Sequence, residues 1–170
     1  SRVTGVSTNS VIPTGYQENF NLYSDVVNEK EVSIRHASAD AGYFETFGIP
    51  MIEGRPFRNV PDSNERNNVI INRSAMKAFG WTTAAGKQLR QKGNTNTFTV
   101  IGVCEDFNYR SLASDVEPLL HWYGGKQSLE NNYLSVSIRE GQTKNVIALL
   151  ESSFKAMPSR RTFDYEYMTD

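Results

Sequence analysis

The stretch Asp40–Phe57, DAGYFETFGIPMIEGRPF, decides how this chain is read. Its eighteen positions hold four aromatic residues, three glycines and two prolines. Asp40 suits an N-cap, because a carboxylate there accepts the free N–H groups of the next turn. Tyr43, Phe44 and Phe47 then fall at i, i+1 and i+4, one face of a short helix. Gly48 fits the left-handed position after the last turn, and Pro50 cannot continue a helix. Met51 and Ile52 resume an extended course, and Glu53-Gly54-Arg55-Pro56 reads as a turn. The expectation is a capped helix packed on a sheet, then a tight exit, with no chemistry of its own.

Working toward the C-terminus, Leu134, Val136 and Ile138 alternate with polar residues, the pattern of a half-buried strand. Glu140-Gly141-Gln142 makes a turn and Thr143 is placed to cap a helix. Val146, Ile147, Leu150, Phe154 and Met157 give that helix an apolar stripe, and Pro158 stops it. Phe163, Tyr165 and Tyr167 alternate again, so a strand–helix–strand unit is expected. The N-terminal third looks like a looser copy, with an extended run from Val3 to Ile12, a strand from Val32, the aromatic helix, then Met51-Ile52. Between them Val69-Ile70-Ile71 reads as a buried strand, and Asn72 or Ser74 starts a helix closed by Gly80. Phe98–Val103 is a further strand, entered from a turn at Lys92–Asn96, and Glu117–Trp122 reads as a return strand. The polar segment Arg58–Arg66 reads as an exposed linker.

At 170 residues the chain suffices for one ordinary domain or two small lobes. Folding buries roughly two-thirds of the extended surface at this size, so no metal or disulfide is needed. Eighteen basic and nineteen acidic side chains leave a net charge of −1. That balance argues against nucleic acid, which requires a basic face, and against a polybasic membrane-surface module. A single cysteine forms no internal disulfide. No secretion leader is visible in the sequence as read, and no apolar run in it approaches the roughly 18–20 residues of a membrane span. The chain opens on Ser1, so a fragment of a larger protein is expected.

The search for chemistry finds little. Gly80–Gln88 resembles a phosphate loop but fails. Five residues separate Gly80 from Gly86, Gln88 stands where a magnesium-holding Ser or Thr is needed, and the segment follows a helix. His36 and His121 have no His or Cys neighbour at ligand spacing. Cys104 closes an apolar strand, which suits a buried inert thiol. Glu105 and Asp106 are adjacent, and Asp106 is expected to organise the turn at Phe107. An enzyme would need Cys104, His36 or His121 to meet a carboxylate in a concave site. The expectation is a non-enzyme with no catalytic residue, no metal and no cofactor.

The order of the motifs says more. YFETFGIPMIEGRPF, VIINRSAMKAFGW, AAGKQL, FTVIGVCEDFNYRSL and EPLL follow one another, and the chain closes with YLSVSIREGQTKNVIALLESSFKAMPSRRTFDYEYMTD. In that order, and over nearly the whole chain, they resemble the extracytoplasmic core domain of MacB-type ABC transporter permeases, the group that includes LolC/LolE and FtsX. The version is similar to those of Bacteroidetes. The resemblance implies an α+β fold of two lobes. A porter-like lobe of two βαβ-type halves would be 1–66 and 117–170, with a smaller α/β lobe inserted at 67–116.

It also implies a mechanical function. ATP would be hydrolysed by a separate cytoplasmic subunit or domain, and membrane helices absent from this chain would pass the motion to a periplasmic domain of an inner-membrane permease dimer. That domain would handle substrate or a partner such as a periplasmic adaptor. In the FtsX-like alternative it would regulate a cell-wall hydrolase. Contact candidates come from two exposed segments, each equally readable as a solvated loop. Arg58, Asn59, Asp62 and Arg66 lie in the first; Trp122, Tyr123 and Lys126 lie in the second.

Overall fold

A computed structural model of the chain describes residues 2–12, 20–60, 65–107, 116–124, 133–158 and 162–168. The class is mixed α+β, as expected. Among the described residues nine strands and three helices follow one another: β1 (Val3–Asn9), β2 (Phe20–Asp25), β3 (Glu31–Ala39), α1 (Tyr43–Thr46), β4 (Met51–Gly54), β5 (Asn68–Asn72), α2 (Arg73–Phe79), β6 (Gln88–Gln91), β7 (Thr97–Cys104), β8 (Leu119–Tyr123), β9 (Tyr133–Ile138) and α3 (Thr143–Lys155).

Six strands close on themselves. β2 pairs with β6, β6 with β7, β7 with β5, β5 with β8 and β8 with β3. β3 returns to β2 with Tyr23 opposite Val32, completing the ring. Closure removes the exposed edges these strands would otherwise present. The β5–β7 and β3–β8 pairs are parallel and the other four antiparallel. β4 adds to β7 beyond β6, and β1 and β9 form an antiparallel ribbon on the far side of β3.

Alternation along these strands sends side chains to two apolar clusters. Tyr23, Ile34, Val69, Ile71, Leu89, Val100 and Leu120 fill the inside of the ring. α2 packs against the same cluster with Ala75 and Phe79, while Trp81 stacks on Phe79 at 4.3 Å and donates its indole N–H to Asp25. Outside, Ile70, Cys104 and Tyr123 meet Tyr43, Phe44, Ile49 and Phe57. The quoted stretch therefore makes the outer cluster.

Its details depart from expectation at one point. α1 begins at Tyr43 and its N-cap is Gly42. Asp40 sits two residues before that cap, where its carboxylate accepts from Gly42 N–H at 2.9 Å and, across to β1, from Thr8 N–H at 2.8 Å. Gly48 takes φ +63° as the left-handed exit requires, with Ile49 N–H returning to the Phe44 carbonyl. Gly54 is more constrained: at φ +69°, a Cβ there would lie 2.2 Å from the Ile101 carbonyl oxygen.

Two further expectations are corrected. No strand forms over Phe163–Tyr167 among the described residues; instead tilted and edge-to-face ring contacts run from Phe154 to Phe163, Tyr165 and Tyr167 at 5.6–5.8 Å. Alternation marks which side chains share a face, but a strand also needs a partner in reach. α3 is capped by Gln142 without a side-chain bond, so Thr143 is its first residue rather than its cap.

Candidate functional site

The inside of the ring is closed at one end by α2 and open at the other. β5 enters from the open end, beside Arg66, and runs toward α2, so Val69 lies near the mouth and Asn72 at the plug. β8 runs the opposite way, which sets Trp122 opposite Val69. The open end is a cleft of about 230 Å³ lined by Tyr23, His36, Arg66, Val69, Gln91, Phe98, Leu120 and Trp122. Burial pushes the Tyr23 hydroxyl up to about 12, so it stays protonated and can donate. The His36 Nε2 lies 2.7 Å from the Asn21 amide nitrogen, which can only donate, so the neutral ring carries its proton on Nδ1.

The contact candidates divide around this cleft. Arg66 and Trp122, far apart in sequence, line it together. Arg58 and Asn59 are exposed beside it in sequence, and the Arg58 N–H is bound by Glu65. Tyr123 points to the opposite face of β8 and is buried against Phe57 at 5.5 Å. Asp62 and Lys126 lie outside the described residues. His36, Tyr23, Gln91 and Phe98 complete the cleft without any sequence signal. Only the ring closure of β2 and β6 brings them there.

His36 thus lies in the cleft, while His121 and Cys104 lie in a different cluster on the outer face. His121 is fully buried on the outer face, with the rings of Tyr43, Phe44 and Phe107 at 5.2, 5.1 and 6.0 Å. Neither ring nitrogen has a hydrogen-bond partner; the Ile70 backbone is a polar neighbour outside bonding geometry. Burial pulls its pKa down to about 3. Burial, reinforced by Asp106, pushes the Cys104 thiol up to about 12. The Asp106 carboxylate is itself engaged by the N–H and hydroxyl of Ser74, both at 2.9 Å. A protonated thiol, a neutral weakly basic ring and an occupied carboxylate make a packing cluster, not a nucleophile and base.

Carboxylates elsewhere are likewise structural. Glu53 accepts from the N–H groups of Ala84 and Ala85 at 2.7–3.1 Å, so an internal anion fills the loop that resembles a phosphate site. Arg73 grips Glu105 through two bonds of 2.7 and 2.6 Å, and holds that carboxyl down to about 2. Burial alone would raise Glu65, but the Asn68 amide and the Arg55 guanidinium hold it below the usual range. Among the described residues no three His, Cys, Asp or Glu side chains gather as a metal site, and no helix is long and apolar enough to cross a membrane.

Comparison with known proteins gives this arrangement a family. The profile of the MacB-like periplasmic core domain matches residues 2–152. The periplasmic region of MacB from Actinobacillus actinomycetemcomitans superposes with a TM-score of 0.61 at 19% identity, over 91% of this chain and 69% of that one. A domain of a putative permease protein from Porphyromonas gingivalis gives 0.60 at 20% identity, over 93% and 72%. The extracellular domain of the noncanonic ABC-type transporter YknZ from Gram-positive bacteria gives 0.60 at 17%, over 91% and 78%. No curated protein matches the chain in sequence. The profile match spans most of the chain and the three structures share its fold: the chain belongs to the MacB-like periplasmic core domain family of ABC transporter permeases.

Proposed function

We propose that this domain transmits ATP-driven motion from the membrane helices of an inner-membrane permease dimer to substrate or partner handling in the periplasm. Hydrolysis belongs to a separate cytoplasmic subunit or domain. One observation carries the reading: the β1–β9 ribbon and the closed ring form one hydrogen-bonded sheet, pinned by Asp40. A body tied in this way moves as a unit, which lever-like coupling requires. On this reading residues 67–116 are the inserted lobe, and 1–66 with 117–170 are the lobe that receives the motion.

The test is a photo-crosslinker placed at Asn59 or Arg66 of the full-length permease in its native envelope, followed by purification. Recovery of a nucleotide-binding subunit together with a periplasmic adaptor supports the reading. A cell-wall hydrolase in place of the adaptor moves it to the FtsX-like alternative. Absence of any nucleotide-binding subunit or fused nucleotide-binding domain overturns it.

A further inference from the structure

We infer that the open end of the β-ring is a binding site for a small amphipathic anion, with a flat apolar body of one or two rings and a single carboxylate or sulfonate head. The site is separate from the transport reading and stands or falls on the isolated chain.

Size comes first. The cleft holds about 230 Å³, below the roughly 300–1,000 Å³ of pockets that take drug-sized ligands. A phospholipid or a macrocycle does not fit inside, whereas a body of one or two rings does. The far end is no exit, because Phe79 and Trp81 pack there against Leu89 and Val100 in the same cluster. A ligand therefore enters and leaves by one mouth.

The walls set the shape of that body. Tyr23, Phe98 and Trp122 contribute aromatic surface, and Val69 and Leu120 form an aliphatic floor. Tyr23 and Phe98 already meet edge to face at 6.4 Å, which holds both rings in place. A planar ligand would gain stacking contact without reorganising the wall.

Charge sets the head group. Among the described residues the lining includes Arg66 and His36 and no aspartate or glutamate. Arg66 makes no ion pair with a described carboxylate. Its sequence neighbour Glu65 is buried and spent on Arg55, Asn68 and the Arg58 N–H. Among the described residues no carboxylate compensates the guanidinium at the rim, and the Gln91 amide stands in the same lining as a second donor. An anion is favoured there and a cation disfavoured.

The chain's two tryptophans make the test direct, since one lines the cleft and the other sits at the plug. In a proton–nitrogen spectrum of the 170-residue chain they give two indole N–H signals. Titration with naphthalene-1-sulfonate is expected to shift the Trp122 signal saturably and leave Trp81 in place. The neutral analogue naphthalene-1-methanol should bind about fivefold more weakly. Arg66→Gln should weaken the sulfonate by a similar factor and leave the alcohol unchanged, with Arg66→Lys between the two. The inference is overturned if Trp122 does not respond, if both indoles shift together, if the alcohol binds as well as the sulfonate, or if Arg66→Gln has no effect.

Discussion

Asp40 carries more of this fold than its place at the end of β3 suggests. β1 meets β3 at a single pair, Asn9 opposite Ala39, so the ribbon needs another tie to the ring. Asp40 supplies it, accepting from the Thr8 N–H and hydroxyl with one oxygen and from Gly42 with the other. Asp40→Ala removes the shared acceptor of three hydrogen bonds in a nearly buried place, and should lower the unfolding free energy by about 2–3 kcal/mol. Urea unfolding reads the loss, and faster amide exchange in β1 than in β5 would locate it. His121 makes a different prediction. Its folded pKa lies near 3 against about 6.5 in an unfolded chain, so the unfolded chain binds the proton first as pH falls. Stability from this group is complete above pH 6.5 and declines toward pH 3, at up to about 1.4 kcal/mol per pH unit. His121→Phe removes two unpartnered nitrogens from an aromatic cage, so it should be neutral or stabilising at pH 7 and flatten the slope. Denaturation of both proteins at pH 7 and pH 5 checks this. A loss above about 2 kcal/mol at pH 7 would assign the ring a polar role.

At the scale of the element, α2 shows how local and distant chemistry combine. Its left-handed Gly80 exit and its Asn72 cap were both legible in sequence. What was not legible is that the buried Asn72 side chain also accepts from Leu119 N–H and donates to the Glu117 carbonyl, stitching the helix start to β8. Nor was the role of Glu105 and Asp106 legible: together they secure Arg73 and Ser74 in the first turn of α2. Asn72→Ala thus removes a cap and two tertiary bonds, and should cost about 3 kcal/mol where an ordinary cap costs about 1. Thermal unfolding of Asn72→Ala beside Asn72→Asp, which keeps the acceptor, separates the two contributions. β2 and β6 escaped a sequence reading for a physical reason. Gln88–Gln91 buries only Leu89, and Phe20–Asp25 buries only Tyr23 and the polar Asp25, so neither carries its buried face as a run of alternating apolar residues. Their pairing is settled by ring closure, a long-range property that no local window contains. The cleft was invisible for the same reason, because its lining comes from elements spread over Tyr23 to Trp122.

The whole molecule is a closed ring with a plug at one end, a ribbon on one side and an aromatic helix clamped outside. Motif order was enough to expect the family, since short phrases such as GIPMIEGRPF encode backbone turns. Gly54 is one of them, and no side chain fits between it and the Ile101 carbonyl. The central claim is that this body moves as one piece when ATP is used. Cys104 is buried, so within this domain spin labels report the introduced cysteines. The measurement is a pair of distances in the full-length permease dimer, without nucleotide and with ATP under blocked hydrolysis. Labels on Lys92 read the spacing between the two copies, and labels on Lys92 and Leu134 read ring to ribbon within one copy. The account predicts that the first distance changes by several ångströms and the second stays fixed. A fixed first distance, or a second that changes as much as the first, would contradict it.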